Sequence, residues 1–328
     1  MRVMVTGGAG YIGSVVTEAL CDRGDEVTVY DSLVTGHRAA VDDRAQFVAG
    51  DLRDPALSRA LREDGVEAIV HMAAISLVGE SVTEPHRYFQ NNVVGGLALL
   101  EAARETGVRT IVFSSTAAVY GAPEHSPIDE GCATAPSNPY GATKLAIEHA
   151  LVAYAGAYGL GSVRLRYFNA AGASARFGED HRPESHLIPR LLDVAAGDAP
   201  EAVVFGTDWP TPDGTAVRDY IHVMDLADAH VRALDWSLAS PGQTAAYNLG
   251  CGGDGYSVRQ VIAAVERVTG RRLTVREVGR RAGDPAILVS SSTAIREALG
   301  WAPERGDLDR IVADAWAWRC RVGRYTDG

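Results

Sequence analysis

A short apolar run, Val3–Val5, leads at once into Gly7, Gly10 and Gly13 at the spacing G-x-x-G-x-x-G, and an apolar-faced helical stretch, Tyr11–Leu20, follows. A buried strand, a side-chain-free turn and a helix N-terminus in that order leave few folds open. Backbone N–H groups at such a turn point at an anion, and the missing side chains let a pyrophosphate come close. A glycine turn alone is a modest signal, so its reading depends on what the rest of the chain supplies.

The remainder of the first half repeats the strand–helix rhythm. Glu26–Tyr30 reads as a second strand ending at Asp31, followed by strands at Gln46–Ala49, Ala68–His71, Thr110–Phe113 and Ser162–Tyr167. Helical patterns at Leu57–Asp64, His86–Glu105 and Tyr140–Tyr158 lie between them. This alternation predicts an α/β fold, a Rossmann-type doubly wound parallel sheet with right-handed crossovers. Beyond Gly172 polar, glycine- and proline-containing stretches (174–185, 207–215 and 250–256) interrupt short helices. The expected division is therefore a dinucleotide-binding domain at 1–172, to which the chain returns near 218–250, and a smaller mixed α/β substrate domain at 173–328.

Composition narrows the partners. A 328-residue chain with 46% hydrophobic and 22% charged residues suits a globular protein with a full core. Its net charge of -11 argues against nucleic acid and anionic membranes, which call for a basic surface. A phosphate-bearing ligand must then be held by local donors against a repelling overall field. Cys21, Cys132, Cys251 and Cys320 are widely spaced, with no C-x-x-C or Cys/His ligand spacing, so neither a disulfide framework nor a zinc site is expected, and no metal is assigned. No apolar run approaches membrane-spanning length, and the glycine turn begins where a signal peptide would lie, so a cytoplasmic location is expected.

Asp31 stands eighteen positions beyond Gly13. An acid there can accept hydrogen bonds from an adenosine ribose and would repel the extra phosphate of NADP, which favours NAD. Asp51 and Leu52 after the third strand, and Met72, Ala73 and Ala74 after the fourth, put compact groups where adenine and pyrophosphate would lie. Tyr140 and Lys144 are four apart on a predicted helix and so share one face. A phenol with an ordinary pKa of about 10 is a poor base near neutrality, but an adjacent ammonium and an oxidised nicotinamide favour the phenolate. Tyr140 is thus a candidate general base, and Thr116, at the end of the fifth strand, offers a hydroxyl to share the substrate proton.

These motifs, with Val78–Ser81, Ser114–Gly121, Arg166–Asn169, Pro210–Asp228, Tyr247–Gly250 and Arg280–Asp284, resemble the extended short-chain dehydrogenase/reductase family, and within it the UDP-hexose 4-epimerases. The resemblance runs from Arg2 to about Trp318. It implies tightly held NAD, UDP-glucose/UDP-galactose as partner, transient oxidation at C4, rotation of the 4-keto sugar, and a homodimer. By the same resemblance Gly7, Gly10, Tyr11, Ile12, Gly13, Ser76, Asn91 and Phe168, with Tyr140 and Lys144, join the cofactor site. Asn169, His186, Leu187, Phe205, Arg218, Tyr220, Arg281 and Asp284, with Thr116 and Tyr140, would hold the nucleotide sugar. The two arginines suit a diphosphate because a guanidinium forks onto phosphate oxygens.

The chain departs from the family at several positions. Ser76 stands where lysine is frequent, Val15 where histidine is, and His186 where asparagine often meets the nucleotide. Leu288 occupies the position whose size is associated with tolerance of N-acetylated sugars, and leucine there is neither clearly open nor closed. A 4,6-dehydratase would need an acid and a base beside the threonine, whereas Ala117 and Ala118 carry no proton chemistry. A 4-epimerase of another nucleotide sugar stays open. A non-catalytic NAD sensor would have no use for the Tyr140/Lys144 pair.

Overall fold

The computed structural model describes residues 1–281, 284–322 and 324–326; Ala282 and Gly283, within the Arg280–Asp284 motif, lie outside the described residues. Strands β1 (Arg2–Thr6), β2 (Glu26–Asp31), β3 (Gln46–Ala49), β4 (Ala68–His71), β5 (Thr110–Thr116) and β6 (Gly161–Tyr167) join the strand Thr244–Leu249 in one sheet. The seven run parallel in the order Thr244–Leu249, β6, β5, β4, β1, β2, β3. Strand order therefore reverses between β1 and β4, where a crevice opens beyond the strand ends.

Alternation along each strand builds two cores. Val3, Val5, Val29, Val70, Val112 and Val163 face one side, under the helices Tyr11–Arg23 and Val223–Ala239. Met4, Ile69, Ile111 and Phe113 face the other, against Leu57, Leu61, Leu99, Leu100, Ile147 and Leu151. Near-continuous Val/Ile runs are what a sheet covered on both faces requires. The helix Val223–Ala239 and the strand Thr244–Leu249 thus complete the sheet from the second half of the chain. A third core, with Ile188, Leu191, Val261, Val265, Leu308 and Ile311, sits among the helices Leu187–Ala196, Val258–Thr269 and Leu308–Arg321.

Two elements differ from the sequence expectation. β5 continues three residues past Phe113, because Ser114–Thr116 pair in register with Leu165–Tyr167 and are buried despite their hydroxyls. The helix expected over His86–Glu105 is instead a helix at Pro85–Tyr88, a π-helical turn at Phe89–Val94 and a helix at Gly95–Thr106. The buried Asn92 side chain sits in that wide turn, accepting from Ile75 N (2.9 Å) and donating to Ile75 O and Thr143 Oγ1 (both 3.0 Å). A π turn inserted in a helix commonly marks a functional region. Among the described residues no helix is long and apolar enough to cross a membrane, and all four cysteines are free thiols.

Candidate active site

The glycine turn lies at the β1/β4 reversal. Gly7 has φ +74°, and a Cβ on it would come 2.5 Å from Ala73 N; a Cβ on Gly13 would come 2.2 Å from Gly7 O. Both positions therefore admit only glycine. A Cβ on Gly10 would meet Gly7 O at 3.4 Å and no other protein atom within 4 Å, so its open side faces the crevice. Gly10 caps the helix starting at Tyr11, whose Oη donates to Gly172 O (2.7 Å). Asp31 is buried and accepts from Ala9 N (3.0 Å) and Leu33 N (2.8 Å); burial raises its pKa and these two bonds oppose the rise. A backbone cradle beside a fixed, desolvated carboxylate fits a dinucleotide with a free ribose.

Of the other predicted cofactor residues, Met72 and Ala73 lie against Gly7. Met72 N donates to Thr6 O (2.9 Å), holding Met72–Ala74 beside the turn, and Leu52 is buried in the core cluster of Met4 and Tyr30. Asp51, after β3, is gripped by Arg53, which holds its pKa below the usual carboxylate range. Ser76 is exposed, and Asn91 donates to Asn92 Oδ1 (2.9 Å). The buried amide at this position is Asn92, which sequence reasoning passed over; a second asparagine inside an apolar helical run was the available signal.

Tyr140 and Lys144 stand on the first turns of the helix Pro139–Tyr158, which Asn138 caps by accepting from Gly141 N (2.9 Å). Lys144 is buried; its Nζ donates to Ser114 O (2.8 Å), lies 5.0 Å from the Phe113 ring centre, and is 6.0 Å from that of Tyr140. Burial pulls its pKa down to about 7, with the Glu148 carboxylate one turn along opposing the fall. Burial raises the Tyr140 phenol to about 12, and a hydrogen bond with the Thr116 side chain works in the other direction. Thr116 also accepts from Ala118 N (3.1 Å), which fixes its hydroxyl at the end of β5. Base candidate, ammonium and hydroxyl thus share one spot beyond the sheet.

A buried ion pair braces this spot. Arg166 forks onto Glu148, with their side chains 8% and 2% exposed, and donates to Tyr120 Oη (2.8 Å), which in turn donates to Asn248 Oδ1 (2.8 Å). The sequence motifs contained Arg166 and Tyr120, but Glu148 gave no signal beyond its i,i+4 spacing from Lys144.

The second half of the chain supplies the remaining candidates. Asn169 pairs in register with Tyr220, and Leu288 with Arg218. The Asn169 amide donates to Asp219 O (2.9 Å). The Asp219 carboxylate accepts from Cys251 N (2.8 Å), Gly252 N (3.2 Å), Ser290 N (3.1 Å) and Ser290 Oγ (2.6 Å), stapling three segments behind Arg218. Arg218 is half-buried and donates to Val217 O (2.8 Å); burial lowers its pKa, with Asp284 acting in the other direction. The Arg281 guanidinium lies 4.3 Å from the centre of the Phe205 ring. Leu288 and Phe168 pack on the Val119–Tyr120–Ile128 cluster, and Leu187 begins the helix Leu187–Ala196. His186 stands apart from these: its Nδ1 is turned to Glu179 and Glu184 and its backbone N and O are bonded to Glu184 and Arg190, which leaves Nε2 for any nucleotide.

The chain is similar to known proteins in sequence and in fold. The family model "NAD dependent epimerase/dehydratase family" matches residues 3–250. A UDP-glucose 4-epimerase of Corynebacterium glutamicum is 51% identical over 323 residues, covering 98% of this chain and 97% of that one. The structure of a UDP-glucose 4-epimerase from Brucella ovis in complex with NAD is 46% identical, with a TM-score of 0.93 over 96% of this chain and 97% of that one. A UDP-glucose-4-epimerase from Stenotrophomonas maltophila, with bound NAD and formylated UDP-arabinopyranose, is 42% identical, with a TM-score of 0.94 over 98% and 99%. With its glycine cradle, Tyr140/Lys144 pair and near-complete alignment to these proteins, the chain belongs to the NAD dependent epimerase/dehydratase family, within the extended short-chain dehydrogenases/reductases.

Proposed function

We propose that the chain interconverts UDP-glucose and UDP-galactose by inverting C4 of the hexose with tightly held NAD. The observation that carries this reading is the convergence of Tyr140, Lys144 and Thr116 at the end of β5, in a chain that also builds the glycine cradle and a half-buried arginine, Arg218. When bound, NAD supplies the acceptor and donor of a hydride. Tyr140 takes the proton of the 4-hydroxyl and later returns it, Thr116 orients that hydroxyl, and the Lys144 ammonium favours the phenolate. Arg218 and Arg281 grip the diphosphate, Asp284 and Asn169 orient the nucleotide, and Phe205 packs on the uracil. Leu187, Tyr220 and the free edge of His186 line the same nucleotide site. Gly7, Gly10, Tyr11, Ile12 and Gly13 hold the pyrophosphate of NAD and Asp31 its adenosine ribose, with Asp51, Leu52, Met72–Ala74, Ser76, Asn91 and Phe168 around them. The cofactor part is 1–172 with the return near 218–250, and 173–328 forms the nucleotide-sugar part. Ala117 and Ala118 beside Thr116 leave a dehydratase without its acid and base.

Purified protein incubated with UDP-galactose, without added NAD, should form UDP-glucose; no conversion with or without added NAD would end the reading. A parallel reaction with UDP-N-acetylgalactosamine reports whether Leu288 leaves room for an acetamido group.

Phe89, Val94, Leu97 and Val152 are each 40–45% exposed on the π turn and the packed helices Gly95–Thr106 and Pro139–Tyr158. Such an apolar face suits a second copy of the chain. Light scattering should give twice the chain mass, falling to one chain in Leu97→Glu; a monomeric parent protein would remove the homodimer. The free thiols fit a cytoplasmic location.

A further inference from the structure

Between Gly172 and the helix Leu187–Ala196 the chain places Glu179, His181, Glu184 and His186 at the spacing E-x-H-x-x-E-x-H. One ligand atom of each lies within 4.8 Å of all the others. His186 Nδ1 is 2.7 Å from Glu179 Oε1 and 2.9 Å from Glu184 Oε1. His181 Nδ1 is 3.0 Å from Glu179 Oε1 and 4.0 Å from Glu184 Oε2. We propose that these four residues form a closed site for a transition-metal dication of the zinc class.

Hydrogen-bond arithmetic carries the argument. The His186 Nδ1 atom has at most one hydrogen, yet two carboxylate oxygens lie within 2.9 Å of it. Glu179 Oε1 in turn faces the same nitrogen of both imidazoles. The single Nδ1 hydrogen of His186 cannot bond fully to both carboxylates, whereas one dication bonds all four groups at once. Tetrahedral zinc, with ligands at about 2.0–2.2 Å, separates its donor atoms by about 3.4 Å, which the observed carboxylate–imidazole spacings of 2.7–4.0 Å bracket, all four atoms lying within 4.8 Å of one another. Both carboxylate side chains are nearly buried, 7% and 8% exposed, so they need a counter-charge that water does not replace. Two carboxylates and two neutral imidazoles balance a dication to zero. Nitrogen and oxygen donors select zinc-class ions over calcium or magnesium, and four protein ligands leave no open position, which marks a structural rather than a catalytic centre.

The ligands are already held in place. Ser185 N (2.6 Å) and His186 N (2.7 Å) donate to Glu184 Oε1, fixing that carboxylate, while His181 packs edge-on to Tyr11, with ring centres 6.5 Å apart. Tyr11 belongs to the glycine turn, and Leu187 follows His186 directly. A metal here ties the cofactor turn to the start of the nucleotide-side helix. The sequence reading assigned no metal because it weighed cysteine spacing, and this site contains no cysteine.

The test uses the full chain, dialysed against a chelator and titrated calorimetrically with Zn²⁺. Binding of about one equivalent, with a higher melting temperature and the visible absorption of a tetrahedral site on replacement by Co²⁺, is expected. His181→Ala and Glu179→Gln should each weaken binding by about 100-fold or more. His181→Asn, which removes the ligand geometry but keeps a polar group, serves where either variant fails to fold. Absence of binding by the parent chain, or unchanged affinity in His181→Asn or His181→Ala, would overturn the site and leave a hydrogen-bonded histidine–carboxylate network.

Discussion

Tyr140→Phe is expected to lower kcat by about 10²–10⁴-fold while the protein stays folded and keeps its NAD. The substitution deletes one oxygen at a half-buried position and leaves Lys144 on Ser114 O and Thr116 on Ala118 N. Because the proton acceptor acts in the transition state, KM should move far less than kcat. In the unliganded chain burial holds the Tyr140 phenol at about 12, so it is protonated at neutral pH. It comes into working range only through the Thr116 bond, the Lys144 ammonium and the charge of the oxidised cofactor. Steady-state assays with absorbance of the retained cofactor check both halves; turnover above about a tenth of the parent rate would take the base role from Tyr140.

Glu148→Gln should have the largest effect on stability. It leaves the Arg166 guanidinium buried without its counter-charge, a loss of about 3–5 kcal/mol for a pair of this exposure. Urea unfolding of the unliganded protein measures it, and a change below about 1 kcal/mol would show that Tyr120 and water replace the carboxylate. The same glutamate props up the Lys144 pKa. The pH dependence follows from the sign of that shift. Native Lys144 releases its proton near pH 7, whereas the unfolded chain keeps it to about pH 10.4, so stability from this group rises with pH across that window. Below about pH 7 both states hold the proton and the burial penalty is constant. Without Glu148 the native pKa falls further, and the rise should begin at lower pH.

The two predictions separate what local pattern carries from what it does not. β3 and β4 and the helix around Tyr140 are legible because apolar alternation, glycine and asparagine caps act within a few residues. The π turn at Phe89–Val94 is not, since it depends on Asn92 meeting Ile75 and Thr143, far apart in the chain. The placement of Ser114–Thr116 at the end of the fifth strand is legible, but that these hydroxyl residues extend the ladder themselves follows only from their pairing with β6.

In the candidate site the same boundary appears. The glycine spacing, Asp31 and the Tyr140/Lys144 face are local features, and sequence alone determined them, because backbone sterics and helical periodicity are set by near neighbours. Only the tertiary structure decided that Lys144 is desolvated, that Glu148 and Arg166 brace it, and that Asp219 staples the segments behind Arg218. It also turned His186 toward Glu179 and Glu184 rather than leaving its Nδ1 for a nucleotide. Those outcomes depend on burial and on partners distant in sequence, and both arise only when the sheet and its covering helices close around them.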